Sequence, residues 1–286
     1  MPAASLALVI LAALIHATWN LFAKRAAHAG PAFILAYSLI SSIAYAPVAI
    51  WMIAQGELPW TVAALGFVAL GGVLHIAYNL ALQRGYRVAD LSVVYPVARG
   101  TGPALSSIGA FLLLGEVPDG RGLAGLLAVI AGIALIATDG RLAKFREPGA
   151  MRGIQWGLIT GALIASYSVA DGYAVKVLLI APLVLDWATN VFRSALIAPA
   201  ARGNWRSAMA GHWRGAWVIG LLSPLGYILV LTALRWGAPL HIVAPTRETS
   251  MMIGTLFGMV FLGEPVGKFR LLGCAILVGG VVLLAA

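Results

Sequence analysis

The 286-residue sequence is short of charge: Asp, Glu, Lys and Arg together make up 10% of it, against about 25% in an average soluble domain. That is too little polar surface to coat a water-facing globule of this size. Acidic residues are the scarcest, 10 Asp+Glu against 19 Lys+Arg. A single cysteine, Cys274, excludes an intramolecular disulfide and leaves the redox compartment unread; inside an apolar run it is expected to be a small packing residue. The chain has no H-E-x-x-H, paired-Asp, nucleophile-elbow, phosphate-cradling Gly-loop or ATP-binding motif. These absences count against an enzyme and against a primary pump, and neither a cofactor nor a metal is expected. An intramembrane enzyme using His16, His75 and an acidic residue stays as the remote alternative.

Apolar residues are what the chain has in quantity: 61% hydrophobic, with 33 Gly and 14 Pro and a mean hydropathy of +0.94. The runs are too continuous for an outer-membrane barrel, whose strands alternate in segments of about 10 residues. A helical bundle remains. Crossing about 30 Å of hydrocarbon takes about 20 apolar residues. Stretches meeting that test are 3–23, 31–54, 61–83, 91–115, 122–138, 153–175, 178–200, 215–234, 239–263 and 270–286. The first lacks a basic n-region and is too long for a signal peptide, so it counts as a span. Gly122, Gly125 and Gly132 in the fifth, with Gly273, Gly279 and Gly280 in the tenth, point to close helix contact or an association surface.

A net charge of +9 would suggest nucleic acid in a soluble protein, but here the basic residues sit mainly in short connectors. Thirteen of them lie on one side: Lys24, Arg25, Arg84, Arg87, Arg141, Lys144, Arg146, Arg152, Arg202, Arg206, Arg214, Lys268 and Arg270. The other side has Arg121, Lys176 and Arg235. The positive-inside rule makes the crowded side cytoplasmic and places both termini outside, in a multi-pass inner-membrane protein with no nucleic-acid partner. Arg99, Arg193 and Arg247 fall within spans.

The chain also repeats. A shift of 148 residues lays Arg99 on Arg247, Leu114-Gly115-Glu116 on Leu262-Gly263-Glu264, Gly125 on Gly273 and Gly132 on Gly280, and Ser106/Ala110 on Gly254/Gly258. Pro96 precedes Arg99 as Pro245 precedes Arg247. A duplicated five-helix unit enters the bilayer from opposite sides in its two copies. The expected fold is therefore an all-α membrane protein of ten transmembrane helices, two inverted five-helix repeats around a central cavity. Residues 1–138 form the first repeat, 139–152 a basic cytoplasmic linker and 153–286 the second repeat. Inverted copies that exchange conformations are the architecture of a transporter.

Ten spans, the five-plus-five duplication, the first helix Ala13-Leu14-Ile15-His16-Ala17-Thr18-Trp19-Asn20…Lys24 and Gly-Glu closing spans 4 and 9 resemble the EamA branch of the drug/metabolite transporter superfamily. The resemblance covers essentially the whole chain. It implies a basket of helices around a cavity open to one side, with spans 5 and 10 outside the basket. It also implies export of a small metabolite, such as a neutral or aromatic amino acid. A same-fold carrier of a nucleotide sugar, vitamin or drug is the alternative. Where the first half has Trp19-Asn20, span 6 reads Ser166-Tyr167-Ser168-Val169-Ala170-Asp171, which departs from two-fold equivalence.

Polar groups within hydrocarbon are expensive and usually face a bundle interior or a wet cavity. His16 and Asn20 share a helix face, with Trp19 beside them, and span 3 repeats the device as His75, Tyr78 and Asn79. Such faces suit a zwitterion with an apolar side chain; the other reading is hydrogen bonding between helices. Arg99 and Arg247, each just after a proline expected to kink its helix, could hold a substrate carboxylate or pair with an acidic residue of another span. Tyr95, Tyr167 and Tyr227 complete the substrate-binding candidates. Asp186, Asn190 and Arg193 share a face of span 7 that could ion-pair internally, and Asp171 could be a gate, a solvated helix end or a proton site. Asp171, Asp186, Arg193 and Glu248 form the gating or coupling set, while Glu116 and Glu264 are expected as interfacial or capping residues. The partners expected are a small-molecule substrate and the lipid bilayer, with the chain a monomer or weak oligomer.

Overall fold

The computed structural model describes residues 1–25, 30–89, 91–201, 209–262 and 267–285. Its α-helices are α1 (Ala3–Arg25), α2 (Gly30–Ala54), α3 (Val62–Val88), α4 (Leu91–Leu113), α5 (Gly120–Thr138), α6 (Ala150–Lys176), α7 (Pro182–Ile197), α8 (Trp213–Arg235), α9 (Leu240–Arg247), α10 (Thr249–Leu262) and α11 (Lys268–Ala285). Because α9 and α10 are the two halves of one broken segment, the described residues form ten α-helical segments. No strand occurs among the described residues. Seven helices, α1, α2, α3, α5, α6, α8 and α11, are each long and apolar enough to cross a membrane. The other three segments carry Arg99, the Asp186/Arg193 pair and the Arg247/Glu248 pair. The protein is a multi-pass integral membrane protein.

Local chemistry fixes several helix ends. Thr61 accepts the Ala64 N–H ahead of α3, Asp119 accepts the Gly122 N–H ahead of α5, and Pro182 opens α7 where its missing N–H is harmless. Helices run further than the apolar pattern alone marks. α3 continues through Arg84 and Arg87 to Val88, and α6 takes in Arg152 and Lys176. Long cationic side chains can lay their stems along apolar surface and keep the charge at the boundary, so they need not end a helix. The ninth segment breaks at Glu248, three residues after Pro245, where the Glu248 N–H turns back to the Pro245 carbonyl. α4, in contrast, stays one helix through Pro96 and Pro103, with the Thr101, Ser106 and Ser107 hydroxyls each bonded one turn back. Arg202, Arg206, Gly263 and Glu264 lie outside the described residues.

The glycine stripes are consumed inside the chain. A Cβ added at Gly132 would stand 2.7 Å from the Leu277 nitrogen, and one at Gly273 would stand 2.8 Å from the Gly132 carbonyl oxygen. α5 and α11 therefore meet backbone to backbone along Gly125/Gly280 and Gly132/Gly273, which leaves these glycines no association surface. Gly279 faces open space on the far side of α11. Elsewhere α1 packs on α8 and α3 on α6, α4 on α6 and α1 on α9 and α10, α2 on α7, α2 on α8 and α3 on α7.

The largest apolar cluster closes one end of the bundle. It gathers Leu58, Ile180, Ala181 and Ala238 from the connectors on the less basic face, with Val68, Val175, Val184, Leu185, Leu231, Leu234, Leu240 and Val243 from the adjoining helix ends. Its Ala12 and Val230 also line the space beneath, so the cluster is the roof of a cavity.

Candidate functional site

The cavity encloses about 170 Å³, walled by α1, α2, α3, α4, α6, α7, α8 and α9. One wall is aromatic. The His75 ring stacks on Tyr167 at 4.3 Å and meets Tyr227 edge-on at 5.8 Å, and Tyr78 meets Tyr167 at 5.8 Å. His75 Nδ1 is bonded to the Gly71 carbonyl, which fixes the ring and leaves its other nitrogen unused by that bond. Asn79 Nδ2 donates to the His75 carbonyl, so part of its polar capacity is spent within α3. Across the space His16 and Trp19 of α1 meet edge to face at 4.7 Å.

Three guanidinium groups face the cavity and differ in partners. Arg99 Nη1 pairs with Glu248 Oε1 at 3.2 Å, Arg99 Nη2 lies 3.1 Å from His16 Nε2, and the Arg99 guanidinium sits over the Tyr95 ring at 5.6 Å. Arg99 is thus neutralised by Glu248, which is 1% exposed at the break between α9 and α10. Arg193 donates through Nη2 to Asn190 Oδ1, and Asn190 Nδ2 donates to the Ser38 carbonyl and Ser42 hydroxyl of α2. The internal Asp186–Arg193 ion pair expected from span 7 does not form: Arg193 is tied to Asn190, and Asp186 lines the cavity beside it. Arg247 lines the cavity and makes no hydrogen bond or ion pair with the described residues.

Of the residues singled out for substrate, His16, Trp19, His75, Tyr78, Asn79, Arg99, Tyr167, Tyr227 and Arg247 all line this one space. Asn20 does not; near the end of α1 it is exposed. Tyr95 is also off the wall and instead carries the Arg99 guanidinium on its face. Asp171 is 2% exposed, which excludes a solvated helix end, and its Oδ2 accepts the Tyr227 hydroxyl at 2.6 Å. Tyr37 and Ser223 line the cavity without having been foreseen. A lone tyrosine near a span end or a serine inside one carries no sequence signal that separates it from an interface anchor or a back-bonded hydroxyl.

On the less basic face, Glu116 acts as a cap, but for a helix far away in sequence. Its carboxylate accepts the Leu240 and His241 N–H groups at the start of α9, His241 Nδ1 at 2.7 Å and Lys176 Nζ at 2.8 Å. Burial pushes the Glu116 carboxyl up, but the bonds from the His241 ring and backbone, Lys176 and Leu240 outweigh it and hold it down to about 2. Beside it, Arg235 bonds the Leu179 carbonyl and Glu57.

The comparisons agree with this architecture. The profile of the EamA-like transporter family matches residues 3–138. An "Uncharacterized transporter in cobO 3'region" from a Sinorhizobium species is 28% identical over 138 residues, 46% of this chain and 94% of that protein. The "Multidrug resistance protein EbrB" of Bacillus atrophaeus is 34% identical over 80 residues, 27% of this chain and 68% of that protein. A solved protein crystal structure shares the fold with a TM-score of 0.76 at 18% identity, covering 99% of this chain and 96% of its own. The chain belongs to the EamA-like transporter family, of the drug/metabolite transporter type.

Proposed function

We propose that the protein is a secondary transporter that exports neutral or aromatic amino acids across the bacterial inner membrane by alternating access. The observation that carries the reading is a mid-bundle cavity pairing an aromatic wall, His75/Tyr167/Tyr227, with the Arg247 guanidinium, which has no hydrogen-bond or ion-pair partner among the described residues. A zwitterion places its carboxylate on Arg247 and its apolar side chain on the rings, while Asp186 across the space is available to the ammonium. Three guanidiniums around one cavity disfavour a permanent organic cation, which weighs against carrying the EbrB name over as a drug specificity.

Alternating access rests on two inverted repeats, 1–138 and 153–286, joined by the basic linker 139–152. The neighbour relations support it, because they pass into one another when each segment is exchanged with the one five further on. Segment 1 on 8 becomes 6 on 3, segment 4 on 6 becomes 9 on 1, and 2 on 7 becomes itself. With the basic side cytoplasmic and both termini outside, the apolar roof makes the described conformation inward-facing. The Arg99–Glu248 pair, which joins segments 4 and 9, is the gating contact, and the chain works as a monomer or weak oligomer.

Purified protein in liposomes preloaded with unlabelled amino acid should take up labelled phenylalanine, tyrosine, tryptophan, leucine or threonine by counterflow. A panel with no flux above empty vesicles refutes the amino-acid reading, and competition by a nucleotide sugar or vitamin would redirect it.

A further inference from the structure

Against the aromatic wall lies a second, smaller space of about 20 Å³, whose lining includes His75 of α3, Asp186, Thr189 and Arg193 of α7, Tyr227 of α8 and Asp171 of α6. A space of that size holds one water. Two oxygens of its lining residues have no partner among the described residues, Asp171 Oδ1 and Thr189 Oγ1, on residues 2% and 6% exposed. Both converge on Gly71 of α3, where an added Cβ would stand 3.2 Å from Oδ1 and 3.4 Å from Oγ1. The missing side chain at 71 leaves both oxygens uncrowded from the α3 side. Asp186 faces both this space and the main cavity.

Asp171 accepts one hydrogen bond, from Tyr227, and forms no ion pair among the described residues. A carboxylate so deep in the bundle needs several donors or a counter-ion, and one hydroxyl is not enough. A metal cation is opposed by the Arg193 guanidinium in the same lining. The ligand this space suits is a proton.

We propose that Asp171 is the carboxyl whose protonation is coupled to transport, reached from the cavity through Asp186 and a single water; the inference rests on the transport reading above. The void water takes the proton of the Asp186 carboxyl and passes one of its own to Asp171 Oδ1. One O–H bond breaks on Asp186, one forms on Asp171, the water is unchanged, and Asp186 is left as a carboxylate beside Arg193. A neutral Asp171 holds the Tyr227 hydroxyl less tightly. Tyr227 is part of the aromatic wall, so its hydroxyl turns to the substrate and the two ligands sense each other.

The test uses the full chain in sodium-free liposomes with labelled phenylalanine as probe. Counterflow without a gradient comes first, because it tests transport alone. An imposed pH gradient should then drive phenylalanine accumulation by the wild type, while Asp171→Asn keeps counterflow and loses the accumulation. Gly71→Ala, which sets a methyl against Asp171 Oδ1 and Thr189 Oγ1 without removing a carboxyl, should lose the accumulation in the same way. Accumulation in D171N equal to wild type overturns the proposal, as does accumulation that follows a sodium gradient and ignores pH. Infrared titration of the purified protein needs no substrate: a protonated-carboxyl band that titrates and vanishes in D171N is expected, and its absence from the wild type overturns the assignment even where counterflow has failed.

Discussion

Replacing Glu116 by Gln tests whether an acidic residue of one half of the chain holds the start of α9 in the other. The carboxylate accepts four bonds, two from α9 backbone N–H groups, one from the His241 ring and one from Lys176. Its pKa is held down to about 2 from an ordinary 4.5. At about 1.4 kcal/mol per tenfold change, and discounted for partial solvent contact, this corresponds to about 2 to 3 kcal/mol. Because the folded value is the lower one, the stabilisation is complete above pH 4.5 and is lost as pH falls towards 2. Thermal unfolding in detergent should put Glu116→Gln roughly 4–6 °C below wild type at neutral pH. The gap should close on acidification as the wild type loses the same charge. Lys176→Met, which removes one of the four bonds, should lose less. An E116Q melting temperature equal to wild type at neutral pH, or a gap that widens in acid, would refute the capping argument.

Three other changes probe different parts of the structure. Glu248→Gln leaves the Arg99 guanidinium without its counter-ion at 3.2 Å, a loss of about 3–5 kcal/mol for a buried pair, read as a lower melting temperature and partly restored when Arg99 is also made Gln. Gly132→Val drives a side chain into the Leu277 backbone, where even a Cβ would stand 2.7 Å away, and should abolish the folded monomer in size-exclusion chromatography, while Gly279→Ala, which meets open space, should be neutral. Arg247→Ala should raise the KM for a transported amino acid about 10- to 100-fold, the worth of one charged hydrogen-bonded contact. It should leave the KM for the corresponding amine nearly unchanged.

Single residues that break an apolar pattern were legible in the sequence. His16, His75, Arg99 and Arg247 stand out because hydrocarbon tolerates a polar group only where a cavity or partner takes it, and all four line one cavity. Partners were not legible. Nothing local ties Glu116 to His241, 125 positions on, or Arg99 to Glu248, 149 positions on, because those contacts depend on how the segments pack. The share of a helix face was only partly legible. Asn20 lies one turn beyond His16 on the same side, yet it is exposed and off the wall that its neighbour Trp19 still lines. The glycine stripes announced close contact but not its partner; α5 and α11 supply it to each other. The break at Glu248 was foreseen as a kink at Pro245, while the same expectation at Pro96 met a helix that stays continuous.

The central claim is that this one cavity is the substrate path. It is tested most directly by a single cysteine at Ser223, on the cavity wall, in a chain whose Cys274 has been made Ser. A charged thiol reagent should modify Ser223→Cys and stop counterflow. Saturating unlabelled substrate should slow the modification in proportion to its occupancy. Full flux after complete modification, or a modification rate indifferent to substrate, would contradict the account.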